Sequence, residues 1–188
     1  MHISKEKLRN IPTYDLGDLL LRPIQESDYL DMYEYGSDNE VTKMLSWRSF
    51  TNPLQARDAI KKIFLTRPNR NIPNAHAIIH KETTKMIGTC DFPSINWETK
   101  TATLGYCMNR NFWGNGYMTK VVKKMIVFAF EELKLNAIHV QHHPDNIGSK
   151  KVILKSGFIY IGEQYNKSLD MTLPSYIMKH EDSKKSIE

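Results

Sequence analysis

Hydrophobic spacing changes period along this chain, and each change marks a change of secondary structure. Between residues 74 and 92 apolar and other positions alternate, in Ala75-His76-Ala77-Ile78-Ile79-His80 and Met86-Ile87-Gly88-Thr89-Cys90-Asp91-Phe92. The polar residues 81–85 lie between the two runs, a hairpin signal. A second polar turn, Asn96-Trp97-Glu98-Thr99-Lys100, leads into a strand over residues 101–108. Three consecutive antiparallel strands are therefore expected. Ahead of them, Asp18-Leu19-Leu20-Leu21-Arg22-Pro23 reads as a short strand ended by proline. A helix capped by Ser27 or Asp28 then carries Tyr29, Leu30, Met32 and Tyr33, and a second spans residues 53–65 with Ala56, Ala59, Ile60, Ile63 and Phe64 at helical spacing.

Beyond residue 108 the pattern shifts. Met118, Val121, Val122, Met125, Ala129 and Leu133 form one apolar stripe on a long helix expected over residues 119–135. Ala137-Ile138-His139-Val140-Gln141 follows as a strand. Strand, helix and strand make a β–α–β unit, whose two strands run parallel through a right-handed crossover. Pro144-Asp145-Asn146 opens a short helix to Lys155, with Gly157 at its C-terminal end. Two strands, over residues 158–164 and 172–179, close the domain. The fold class expected is mixed α/β: a mostly antiparallel sheet of six to seven strands, a central β–α–β unit, and helices on both faces. One domain is expected over residues 1–180, with a charged, frayed tail over 181–188.

Length and composition narrow the picture. A chain of 188 residues can bury a sizeable core. No apolar run approaches the roughly 18 residues of a membrane span, and the N-terminal segment lacks a signal-peptide core, so a cytoplasmic protein is expected. Cys90 and Cys107 form no C-x-x-C, and the adjacent His142 and His143 point to opposite faces of an extended segment, so no metal site is expected. The net charge of +5 is spread among acids rather than gathered in a stripe, which disfavours a nucleic-acid binder. Lys120, Lys123 and Lys124 share the polar face of the long helix. A solvated face is the plainer reading, contact with the phosphates of an anionic cofactor the sharper one.

The most informative stretch is Asn111-Phe112-Trp113-Gly114-Asn115-Gly116-Tyr117-Met118-Thr119, at the start of the long helix. Two glycines spaced by one residue let the backbone turn sharply and approach a ligand closely. The first helical turn then offers unpaired N–H groups and a positive dipole end, an anion cradle suited to a phosphate. Neighbouring residues exclude two phosphate motifs. A dinucleotide fingerprint needs a third glycine where Thr119 stands and an acid at the end of the next strand, where Gln141 stands. A Walker loop needs Gly-Lys-Ser/Thr, which is absent.

With this order of motifs the chain resembles the GNAT superfamily of acetyl-CoA-dependent N-acetyltransferases. More narrowly, it is similar to the branch containing the ribosomal-protein N-terminal acetyltransferases. The resemblance rests on Leu21-Arg22-Pro23 with Asp28, Ile87-Gly88, Leu104-Gly105-Tyr106, residues 112–119, His143-Pro144-Asp145-Asn146-Ile147-Gly148-Ser149, and Val152-Ile153-Leu154-Lys155-Ser156-Gly157-Phe158. It runs from about Leu19 to Lys179.

The resemblance implies acetyl-CoA as acetyl donor. Its pyrophosphate would meet the amides around Phe112, Trp113, Gly114, Asn115, Gly116, Tyr117 and Met118, with the Thr119 hydroxyl as a further donor. Asn111 replaces a polar anchor common in the superfamily. Asn146 would hold the pantetheine arm, and Ser149 would sit near the thiol; the residue-level alternative is a helix cap with an early-helix serine. An N–H near Cys107 or Met108 would bond the thioester carbonyl, and Tyr106 would line the same place. Ile153 replaces the tyrosine many relatives use. Thr103 replaces a common glutamate base, which leaves Glu98, His142, Asp91 and a water relay open. The catalytic candidates are Ser149, Tyr106 and Glu98.

The acceptor implied is a primary amine on a protein N-terminus, a polyamine, an amino acid or an aminoglycoside, and a non-catalytic acetyl-CoA sensor is the alternative. The acceptor site is expected between the first two helices and residues 43–51, with Trp47 and Phe50 as apolar walls and Glu34, Asp38 and Glu40 facing the amine. A monomer or homodimer is expected.

Overall fold

Alternation in the middle of the chain becomes one mixed sheet in the computed structural model, which describes residues 3–183. After helix α1 (Lys5–Arg9) come strands β1 (Tyr14–Asp15) and β2 (Leu19–Pro23), then helices α2 (Tyr29–Gly36), α3 (Asn39–Thr42) and α4 (Pro53–Ala59). The sheet continues through β3 (His76–His80), β4 (Met86–Asn96) and β5 (Thr101–Met108). Helix α5 (Tyr117–Val127), strand β6 (Ala137–Gln141), helix α6 (Ile147–Lys155), strands β7 (Ile159–Asn166) and β8 (Met171–Lys179), and helix α7 (His180–Ser183) complete the order.

The eight strands lie in the order β1-β2-β3-β4-β5-β6-β8-β7. Every neighbouring pair is antiparallel except β5 and β6, the parallel pair of the β–α–β unit. That is one strand more than six to seven. The addition is β1, whose two residues pair with Leu20 and Leu21 of β2; two residues carry no periodic signal.

Alternation along the strands feeds two cores. Leu19, Leu21, Ile78, Ile87 and Leu104 pack on the face that meets the buried stripe of α5. Ala77, Ile79 and Met86 pack on the other, against Met32 and Tyr35 of α2 and Ala56 of α4. Each large side chain buried in the α5 stripe contributes about 1.5–3 kcal/mol, which makes that stripe the main anchor of the crossover.

Several expected boundaries moved for physical reasons. The long helix starts two residues early, at Tyr117, and gives way after Val127 to a wider π-type turn, Phe128–Glu132. The wider turn lets three consecutive residues, Phe128, Ala129 and Phe130, all reach the core. A similar turn, Ile60–Phe64, follows α4. Asp28 is not a simple cap of α2. It grips Arg22 through two contacts of 2.6 and 2.8 Å and accepts the Gln25 N–H, tying β2 to the start of α2. The expected tail begins inside α7, where Ser183 is buried; its residues 184–188 lie outside the described residues.

Candidate functional site

The parallel pairing of β5 and β6 stops early. It joins Thr101 to Ala137, Ala102 to Ile138 and Thr103 to His139, and goes no further. Beyond Thr103 the two strands part. A cavity of about 600 Å³ lies there, lined by the end of β5, the loop before α5, the start of α6, and the segment from Glu40 to Leu45. That volume suits a small-molecule site.

The open side of β5 has a defined polarity. Asn109 N–H bonds Ile87 O across β4 at 2.7 Å, and Cys107 is registered with Thr89. Antiparallel alternation therefore turns the Met108 amide and carbonyl toward the gap. Its carbonyl accepts the Trp113 indole N–H at 2.8 Å, which leaves the Met108 N–H for a ligand. Of the two amides expected there, Cys107 faces β4 instead.

The loop to α5 is built around two glycines at positive φ, Gly114 at 82° and Gly116 at 75°. A β-carbon added at either would meet no atom within 4 Å, so open space rather than packing surrounds them. Gly116 is the N-cap of α5 and brings no capping side chain, whereas Ser4, Asn52 and Asn146 cap α1, α4 and α6 through side-chain oxygens. The first intrahelical bond runs from Lys120 N–H to Gly116 O. The N–H groups of Tyr117, Met118 and Thr119 thus precede the helical ladder, at the positive end of the dipole.

Of the residues expected to hold the cofactor, Phe112, Trp113, Gly114, Gly116, Tyr117, Met118 and Thr119 line the cavity. Asn115 does not; its side-chain amide bonds back to Phe112 O and Trp113 O and closes the turn. Lys120 bonds Leu16 O and Lys124 lies 4.1 Å from the Tyr14 ring centroid, so both lysines contact the N-terminal segment rather than the loop before α5.

At the other end of the gap, Tyr106 of β5 meets Ser149 of α6. Their hydroxyl oxygens are 2.7 Å apart, and the phenol also reaches Ser149 O at 3.3 Å. Burial pushes the Tyr106 phenol well up, while its bond to Ser149 opposes the shift, so the group is a neutral donor at physiological pH. Asn146 Oδ1 accepts the Ser149 N–H at 2.9 Å. Its oxygen is thereby committed to the cap, and its Nδ2 is what remains for a ligand. Burial pushes the neighbouring Cys107 thiol up to about 12, which keeps it an unreactive thiol.

The candidate bases fare differently. Glu98 sits in the turn before β5, whose first residue Thr101 is about 17 Å along the strand from Tyr106, and does not line the cavity. Its N–H bonds Asn96 Oδ1, a turn role. Asp91 is buried against Arg67 at 2.8 Å; burial pushes its carboxyl up, and the guanidinium pulls it back. His142 is buried and bonded to His143 O and Tyr176 OH. The carboxylates that do line the cavity are Glu40 and Asp145.

The acceptor wall also needs correction. Lys43, Met44 and Leu45 line the cavity, but Trp47 and Phe50 do not. Those rings stack on each other at 5.1 Å, and Phe50 packs so closely on Gly36 that a β-carbon there would come within 2.5 Å. Val41, Lys151, Val152 and Lys155 also line the cavity, a site role the sequence reading gave none of them. The last three continue the helical spacing of Gly148 on one face of α6, a signal readable in advance. Among the described residues no group of three or more His, Cys, Asp or Glu is placed to hold a metal ion, and no helix is long and apolar enough to cross a membrane.

Residues 18–159 match the acetyltransferase (GNAT) domain family. The chain belongs to the GNAT acetyltransferase family. It is similar to the uncharacterised N-acetyltransferase p20 of Bacillus licheniformis, at 38% identity over 141 residues, 74% of this chain and 78% of that one. Among solved structures, the ribosomal-protein-S5-alanine acetyltransferase of Vibrio fischeri shares the fold at TM-score 0.77 and 21% identity, covering 92% of this chain and 98% of that one. The microcin C7 self-immunity acetyltransferase MccE, in complex with acetyl-CoA and AMP, gives 0.76 at 21% identity, covering 87% and 93%. The protein is an acetyl-CoA-dependent N-acetyltransferase. A GNAT cavity with an uncapped glycine turn, free helix amides and open space at both glycines fits that donor.

Proposed function

We propose that this GNAT enzyme acetylates the α-amine of a polypeptide N-terminus. The observation that carries this reading is the charge inventory of the cavity. Glu40 is paired with Lys43 at 2.6 Å, and three lysines, Lys43, Lys151 and Lys155, face two carboxylates, Glu40 and Asp145. A polyamine or aminoglycoside brings several positive charges and would need a surplus of carboxylates to replace their hydration. A polypeptide N-terminus brings one amine, and Val41, Met44 and Leu45 offer its first side chain an apolar wall. The fold shared with the Vibrio fischeri ribosomal-protein enzyme supports the same class.

Acetyl-CoA supplies an acyl group activated as a thioester: the amine nitrogen gains the acyl carbon, the carbon–sulfur bond breaks, and the proton lost by the amine is balanced by one gained at sulfur. We assign the amides of Gly114, Gly116, Tyr117, Met118 and Thr119 and the Thr119 hydroxyl to the pyrophosphate, because the Phe112 and Trp113 amides already bond Asn109 O and Arg110 O, and Asn146 Nδ2 to the pantetheine arm. The Met108 N–H is the donor available to a developing oxyanion. Tyr106 and Ser149 share one hydrogen bond and hold two hydroxyl protons, of which one stays available to a leaving thiolate.

A thiol-release assay with acetyl-CoA tests the acceptor class. The panel is a set of short peptides with free N-termini, free amino acids, a polyamine and an aminoglycoside. Peptides are expected to exceed the polycations in kcat/KM by about tenfold or more. Preferred turnover of a polycation or a free amino acid would overturn the reading.

A further inference from the structure

Two contacts cross from the acceptor-side helices to the loop before α5. Arg110 Nε lies 2.7 Å from Asp38 Oδ2, and Asn109 Nδ2 donates to Glu34 Oε1 at 3.2 Å. Asp38 and Asn109 each perform a second task. Asp38 Oδ1 accepts the Glu40 N–H at 2.9 Å and starts α3. Asn109 Oδ1 accepts the Asn111 N–H at 3.0 Å and starts the short turn Arg110–Phe112. Neither Asp38 nor Arg110 lines the cavity, yet the segments they anchor do: Glu40 and Val41 on one wall, Phe112 and Trp113 on the other.

We propose that Asp38 and Arg110 are positioning residues that lock the acceptor wall to the phosphate loop, so that filling the loop orders the wall. Helix α3 has only four residues, too few for its own backbone bonds to hold it. Its position depends on what its cap touches. The same carboxylate caps α3 and grips the loop, so a loop frozen by a pyrophosphate fixes Asp38, and Asp38 fixes the first turn of the wall. The arginine side of the pair is half exposed, so its static contribution is small; its effect lies in joining two segments that border one cavity. The proposal rests on the reading that the loop holds coenzyme A.

Hydrogen–deuterium exchange of the full chain, free and saturated with coenzyme A, tests it. Coenzyme A is expected to slow exchange over residues 112–120 and also over 38–46. Asp38→Asn keeps a capping oxygen but removes the ion pair; Arg110→Ala removes it from the other side. In both variants protection should persist over 112–120 and fall over 38–46. KM for the best peptide acceptor at saturating acetyl-CoA should rise about fivefold, whereas coenzyme A affinity by calorimetry without acceptor should change by less than about twofold. Arg110→Lys should restore most of the coupling. Unchanged protection over 38–46 in both variants overturns the positioning role, as does equal loss over both segments. No protection over 112–120 in the unaltered chain removes the coenzyme A reading itself, and the proposal with it.

Discussion

The phenol of Tyr106 and the hydroxyl of Ser149 stand 2.7 Å apart across the gap between β5 and α6. The pair closes one end of a cavity whose other end is the glycine turn of α5. If the shared hydroxyls serve the leaving group, each should matter to turnover rather than to affinity. Ser149→Ala and Tyr106→Phe are each expected to lower kcat by about 10–100-fold, with coenzyme A affinity by calorimetry changed by less than about threefold. Because they act as one unit, the double variant should lose little more than either alone. An equal fall in affinity would reduce Ser149 to a helix residue.

Gly116 has φ of 75° and open space where a side chain would project. Gly116→Glu puts a carboxylate into that space and strains the turn by about 1 kcal/mol. Coenzyme A affinity is expected to fall at least about a hundredfold, as a like charge meets the pyrophosphate, while circular dichroism stays native. Unchanged affinity in calorimetry would place the pyrophosphate elsewhere.

Gly88 is crowded in the opposite sense. A β-carbon there would stand 2.3 Å from Cys107 O, a backbone atom. Gly88→Ala must push β4 and β5 apart just where the cavity opens, and a loss of about 3 kcal/mol or more in urea denaturation is expected. Full retention of stability would mean the two strands separate freely.

His76 carries the clearest pH signature. Its ring is stacked with Tyr14 and set edge-on to Phe128, and burial pushes its imidazole from 6.5 down to about 4. The folded state holds the ring neutral while the unfolded chain protonates near 6.5. This contribution is therefore complete above pH 6.5 and is lost as pH falls toward 4, by about 3 kcal/mol in all. Denaturation midpoints measured from pH 7 to pH 4 should fall more steeply for the parent than for His76→Phe. Parallel curves would show that other groups govern acid stability.

Much of the fold was legible along the chain because its cues are local. Period-two alternation marked β3, β4 and β5, the stripe from Met118 to Leu133 marked α5, and Gly114 and Gly116 marked the turn before it. Each cue depends on residues a few positions apart, whose spacing fixes which face they share. The π-type turn at Phe128–Glu132 was not legible, because it answers to a core assembled from distant strands.

The candidate site divides the same way. The half we assign to the pyrophosphate is written in one contiguous stretch, residues 112–119, whose turn and uncapped helix start follow from glycine and helix geometry alone. The remainder depends on pairings across 43 to 75 residues: Tyr106 with Ser149, Asp38 with Arg110, Glu34 with Asn109. Glu98, Asp91 and Trp47 were plausible by residue type, and only tertiary structure removed them from the cavity. A carboxylate or ring has the same chemistry wherever it stands in sequence; whether it faces a substrate, a buried arginine or another ring is decided by which strands pair and where they part.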